Sequence, residues 1–346
     1  MSTAALTQPA LDVRTRRPSL LAAELHRMTA RRFVRLLVIL GALGYLVALV
    51  IATTQFSRPT QAILEDARAK QAQVLAEQEA ARTQCLANPP SPLPPGVSSA
   101  EELCGPPLTA DQIPVDQFIG KSPFELATQY SDGALGVAAG TAAVMFLIGA
   151  TYVGAEWSTK TMTALLFWEP RRLKVVGTKA LVVALTAAVL AVLAQLVWAG
   201  AARFLAATRG ETDVPDGWLG QVLGVQARGV LLVVLVALLG FGLANLIRNT
   251  GAALGVAFVW FAVLENLVRA VRPAWQQWLV SDNVGALVSP GGITIGYPGT
   301  AVDANGNVQD FVQVHLSNLH GGLVLGVVTA AVLAVGTVLF RRRDLQ

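Results

Sequence analysis

Six stretches of about twenty apolar residues decide what this chain can fold into. They cover 36–54, 133–155, 180–202, 229–247, 251–268 and 321–340. Each is long enough to cross the hydrocarbon of a bilayer as an α-helix, which pairs its backbone N–H and C=O groups within the segment itself. Only 14% of the residues are charged and 53% are hydrophobic, against about 25% charged in soluble domains. The pattern predicts an all-α integral membrane protein with six transmembrane helices. The net charge of +4 is modest and the basic residues are not interleaved with aromatics, which argues against nucleic acid as a partner.

Basic residues near span ends favour the cytoplasm. Arg14, Arg16, Arg17, Arg27, Arg31, Arg32 and Arg35 precede the first span. Lys160, Arg171, Arg172, Lys174 and Lys179 lie between the second and third, Arg248 between the fourth and fifth, and Arg341, Arg342 and Arg343 after the sixth. Both termini are therefore expected in the cytoplasm of a multi-pass plasma-membrane protein. The first thirty residues contain no long apolar run of the kind a cleavable signal needs, so the N-terminus is expected to stay inside.

This orientation sets the layout. Residues 1–19 read as a disordered cytoplasmic tail, 20–54 as a surface helix followed by span one, and 55–131 as an extracytoplasmic segment. Residues 132–346 hold spans two to six, with an inner loop at 155–179 and an outer loop at 269–320. In the surface helix, Leu21, Leu25, Met28 and Arg32 recur at helical spacing, as do Glu24, Arg27 and Arg31. That spacing predicts one apolar and one basic face lying in the headgroup layer. Three G-x-x-x-G pairs, Gly136/Gly140, Gly251/Gly255 and Gly322/Gly326, suggest close helix packing.

The extracytoplasmic segment opens with strong helix formers over 60–84 and no interior glycine or proline. Ile63, Ala67, Val74 and Leu75 make a weak apolar stripe, so a helix packed through a thin seam is expected. The sequence NPPSPLPPG at 88–96 is expected to be extended. Cys85 and Cys104 bracket it on the oxidising side, which predicts a disulfide closing a loop of about 20 residues and contributing ~3 kcal/mol. No histidine lies in that segment, which argues against a metal site. In the outer loop, Trp275 and Trp278 suit a membrane–water interface, and SPGG at 289–292 breaks any helix. WLVSDNVGALV is expected to dip into the membrane surface without crossing.

The inner loop begins GAEWSTKT, 154–161, one position away from a phosphate-binding G-x-x-x-x-G-K-[ST]. Thr159 replaces the second glycine. A phosphate loop joins a β-strand to a helix, whereas the residues before Gly154 end a membrane span. A β-branched residue also resists the turn that glycine permits. The chain is thus expected to bind no ATP and no other cofactor itself.

Read to its end, GAEWSTKTMTALLFWEPRRLKVVGTKA resembles the loop between the second and third spans of ATP-binding-cassette permeases of the type-2 exporter branch. That loop runs roughly G-x-E-x-x-x-G-T-[LM]-x-x-L-L-x-x-P-x-x-R, then a lysine. The matching residues are Gly154, Glu156, Thr161, Met162, Leu165, Leu166, Pro170 and Arg171 or Arg172, followed by Lys179. Lys160 stands where glycine is usual. AELHRMTARR, 23–32, resembles the E-x-x-[KR]-x-x-x-x-R start of the elbow helix in the same permeases. The resemblance implies a coupling helix around 160–168 that docks on a separate ATPase subunit. Glu156, Trp157, Lys160, Thr161, Leu165, Trp168, Pro170 and Arg171 are its implied coupling residues, with Trp157, Phe167 and Trp168 as aromatic anchors. It also implies export, and a second permease copy or homologue completing the substrate path in the lipid membrane.

Polar residues within spans mark function by default, and here they are Gln195, Asn245 and the i,i+4 pair Glu265 and Arg269. Gln195 and Asn245 serve equally as bonds between helices. Two other classes remain. A membrane-anchored sensor would use the extracytoplasmic segment to bind a partner. A lipid-modifying enzyme would need a catalytic constellation, and His315 and His320 do not form H-E-x-x-H.

Overall fold

A computed structural model describes residues 19–89, 99–299 and 311–342. Residues 1–18 of the tail expected at 1–19, and 90–96 of the proline-rich stretch at 88–96, lie outside them.

Helix α1, Leu20–Ala30, is capped by Ser19, whose hydroxyl accepts from the Ala22 N–H. It breaks at Arg31, whose backbone is extended, and α2, Arg32–Gln55, follows. Thr60 caps α3, Gln61–Ala87, and α4 is the single turn Ala100–Cys104. Next come β1, Phe124–Glu125; α5, Leu126–Ser158; α6, Thr161–Trp168; α7, Arg172–Arg209; and β2, Gly210–Glu211. Helix α8, Trp218–Ile247, ends at Arg248, and Asn249 caps α9, Thr250–Val259. One π-helical stretch, Trp260–Leu264, joins α9 to α10, Glu265–Val271. The last elements are α11, Val280–Val288; β3, Ile293–Pro298; β4, Phe311–Leu316; and α12, Asn318–Arg342. The chain is all-α in class, and six helices are long and apolar enough to span a membrane. They outrun the apolar stretches: α7 has 38 residues, because nothing in its polar flanks breaks a helix before Gly210.

Two compact units divide the chain, and α2, α5, α7 and α8 contribute residues to both. The smaller comprises Ala42–Ala138 and Val192–Gly229. Its core is aromatic: Phe124, Tyr130, Trp198 and Trp218 are buried together. Indole N–H groups find acceptors there, Trp198 on the Tyr130 carbonyl at 3.0 Å and Trp218 on that of Ala127 at 3.3 Å. Helix α3 is held by side-chain bonds to backbone, from Gln71 to the carbonyl of Ile113 at 2.7 Å and from Arg82 to that of Gly105 at 3.0 Å. Of its apolar stripe only Ala67 is fully buried. A disulfide joins Cys85 to Cys104, with Cα atoms 5.9 Å apart.

The larger unit comprises Met1–Gly41, Ala139–Ala191 and Val230–Gln346. Here α11 packs on α12, and the antiparallel hairpin β3–β4 pairs Ile293 with Leu316 through to Pro298 with Phe311. Ala286, Ile295 and Leu316 form a buried cluster where the hairpin meets α11 and α12. The stretch 269–320, expected as an outer loop of short apolar pieces, is structured over its described residues as helix plus hairpin.

Of the G-x-x-x-G residues only Gly322 lies against another helix among the described residues, where a Cβ would meet the Leu287 side chain of α11 at 3.4 Å. A Cβ on Gly136, Gly140, Gly255 or Gly326 would face open space. Contact also falls at Gly149, where a Cβ would strike the Ala237 carbonyl of α8, and at Gly133, where it would strike the Trp198 ring. A four-residue spacing marks a small-residue face without saying which face finds a neighbour.

Candidate functional site

Charge is concentrated in the larger unit at the start of the inner loop. Helix α1 and its C-cap supply Glu24, Arg27 and Arg31, α5 supplies Tyr152 and Glu156 one turn apart, and α7 supplies Lys179. Glu24, Tyr152, Glu156 and Lys179 are all buried, Lys179 completely. The Lys179 ammonium stands 2.6 Å from Glu24 and 2.8 Å from the nearer oxygen of Glu156. Arg31 donates to Glu156 at 2.5 Å and to the Tyr152 carbonyl at 2.6 Å. The Tyr152 hydroxyl donates to Glu24 at 2.5 Å, and Arg27 reaches Glu24 at 3.0 Å. Lys179 and Arg31 also lie over the Tyr152 ring, at 5.0 and 4.8 Å.

Each carboxylate thus meets two cations, which is what lets charges persist away from water. Burial pushes the Glu24 carboxyl up, but the Lys179 ammonium, the Tyr152 hydroxyl and Arg27 outweigh it and hold it below its ordinary value of 4.5. Helix α1 packs through this charged face: Glu24 and Met28 are buried, while Leu21 and Leu25 are exposed. The sequence pattern placed the apolar residues of α1 on one face and assigned Glu24 to the opposite, basic one.

Helix α6 starts beside the cluster. Lys160 precedes it in the left-handed conformation, φ 56° and ψ 13°. Met162 and Leu166 are buried, whereas Phe167 is 90% exposed. Thr161, Ala164 and Leu165 share a face and, with Arg27, Arg31 and Glu156, line a cavity of about 540 Å³. Pro170 follows the helix, and Arg171 is exposed beside it. Glu169 pairs with Lys174 at 2.6 Å, and that hydrogen bond holds its carboxyl below its ordinary value. The Trp168 side chain lies outside the described part of the structure.

Trp157 turns away from α6. Its ring meets Phe340 edge-on with centroids 5.5 Å apart, Arg248 lies 4.4 Å over it, and its N–H donates to Asn245 at 3.4 Å. Trp157 and Asn245 are thus committed to packing inside the chain. The other residues read as a substrate path have local partners of their own. Gln195 is buried in the smaller unit and donates to the Ala134 carbonyl at 3.0 Å. Glu265 is buried and caps α11, accepting from the Val280 N–H at 3.0 Å, from the Ser281 N–H and hydroxyl, and from the Trp260 N–H at 2.9 Å. Arg269 reaches Asp282 at 3.0 Å and Glu265 at 3.8 Å. Carboxylate caps of this kind are a structural use of charge. Among the described residues no His, Cys, Asp and Glu cluster is fit to hold a metal ion.

Sequence reading had Glu24, Glu156 and Lys179 in view within two separate motifs, but nothing in one dimension joins them. No protein-family model, curated protein or solved structure matches this chain.

Proposed function

We propose that this chain is the membrane-spanning permease subunit of an ATP-driven exporter, with both termini cytoplasmic. It would form the substrate path as a dimer and depend on separate ATPase subunits. One observation carries the reading: α6 is a short helix that buries Met162 and Leu166, presents Phe167 outward, and begins next to charges that clamp α1, α5 and α7 together. A helix pushed by a partner passes on displacement only if its base is stiff. Buried, doubly paired carboxylates give a discrete arrangement of that kind, since each alternative leaves a charge unpaired. In this reading α1 is the elbow helix and α6 the coupling helix. Phe167, Thr161 and Leu165 meet the ATPase, Lys160, Pro170 and Arg171 frame the contact, and Glu156 ties the contact to the spans.

Co-purification tests it. The chain should carry an ATP-binding-cassette ATPase with it out of its native membrane. Phe167→Ala should weaken that complex about thirtyfold, as loss of an aromatic anchor does, with the fold intact. A stable, active protein with no ATPase partner would overturn the proposal. The exposed, disulfide-braced α3 favours a second reading, a membrane-anchored sensor, which predicts that same ATPase-free outcome.

A further inference from the structure

A second cavity, of about 490 Å³, opens where α7 begins and α12 ends. Pro170, Arg171, Arg172, Leu173, Lys174 and Arg341 line it. Arg172 builds it by donating to the carbonyls of Phe340 and Arg341 at 3.1 and 3.2 Å, and its guanidinium lies 5.9 Å over the Phe340 ring. The last turn of α12 is thereby pinned to the first turn of α7. Four cations line the space; among the described residues Lys174 pairs with Glu169, and Arg172 is engaged with the end of α12. Arg171 and Arg341 are exposed. This concentration of positive charge calls for an anion.

The flanks say which kind. Down α7, Leu173, Leu181 and Leu185 are each about half exposed at helical spacing, and Val335 and Val338 are likewise exposed on α12. A free phosphate uses only the cations. An anionic phospholipid uses both, with its phosphodiester among the basic side chains and its acyl chains along the apolar ones. Basic pockets at the ends of membrane helices suit such headgroups. We propose that this cavity is a binding site for one anionic phospholipid, held by Arg171 and Arg341 against α7 and α12. It stands independently of the transport reading, since it needs no ATPase and no second copy.

The test uses the full chain in a neutral detergent, with lipid retention read by native mass spectrometry and thermal unfolding read by tryptophan fluorescence. Phosphatidylglycerol should be retained at one molecule per chain and raise the unfolding temperature, whereas phosphatidylcholine should do neither. Arg171→Gln with Arg341→Gln should weaken phosphatidylglycerol binding roughly thirtyfold, about fivefold per charge. Arg68→Gln with Lys121→Gln, which removes as much charge from the smaller unit, should leave it unchanged. If the glutamine pair fails to fold, Arg171→Lys with Arg341→Lys decides, because retained charge should keep binding within about threefold. Equal retention of phosphatidylcholine, undiminished binding by the glutamine pair, or a tenfold loss in the lysine pair would each overturn the proposal. So would equal stabilisation by inorganic phosphate alone, which would make this an anion site without a lipid.

Discussion

At position 160 a lysine occupies a backbone conformation that favours glycine. Its φ of 56° is left-handed, which costs a residue with a Cβ roughly 1–2 kcal/mol. The resemblance to exporter loops set glycine at this position, and the conformation explains why: the chain must reverse between α5 and α6 within two residues. Lys160→Gly should therefore raise stability by about 1 kcal/mol in chemical unfolding. Unchanged or lowered stability would mean that the lysine side chain compensates for the strain. Glu24 gives the second prediction at this scale. Its folded carboxyl is held below 4.5, so its contribution is fully present above the unfolded value and is lost as pH falls through the folded one. The stability gap between wild type and Glu24→Gln should be widest above pH 4.5 and close steadily below it. A gap independent of pH between 7 and 3.5 would show that the folded carboxyl is not held below its ordinary value, and a gap that grows as pH falls would show that Glu24 is neutral in the folded protein.

One helix contact of this chain, at Gly149, falls at a position that its own sequence does not single out. The six spans were legible because twenty apolar residues admit few other structures. The short helix after Lys160 was legible from its resemblance to a known loop. Contacts between helices were not, because they depend on rotation about each axis. Gly149 has no partner at i+4 yet lies against the Ala237 carbonyl, while a Cβ on Gly136 or Gly140, which have the motif, would meet nothing within 4 Å among the described residues. The hairpin β3–β4 escaped notice because two six-residue strands are shorter than the pattern of apolar pieces around them. The π-helical stretch at Trp260–Leu264 leaves no mark in hydropathy at all. The cluster of Glu24, Glu156 and Lys179 needed α1, α5 and α7 to be assembled first. Gly149→Ala should cost about 1–3 kcal/mol, since the added methyl meets backbone that cannot rotate aside. Gly136→Ala should be neutral to within about 0.5 kcal/mol. Equal effects in the two variants would place the helix contact elsewhere.

For the whole molecule the deciding property is which end of each helix faces the cytoplasm. Lysine and arginine gather at one set of span ends: Arg31, Arg32 and Arg35 at the start of α2, Arg171, Arg172 and Lys174 at the start of α7, and Arg341 and Arg342 at the close of α12. Long loops cross membranes largely regardless of charge, so the short connections carry the signal. Helix α3 and the disulfide lie between α2 and α5, at the opposite span ends, where an oxidising compartment would keep Cys85 and Cys104 bonded. Both cysteines of the chain are in that bond, so an introduced thiol reports without background. In intact cells a membrane-impermeant maleimide should label Gln73→Cys, exposed on α3, and should leave Thr159→Cys, exposed before α6, untouched until the membrane is opened. The reverse pattern would turn the molecule over. It would put α6 and Phe167 outside, beyond the reach of any cytoplasmic ATPase, and the exporter reading would fall with it.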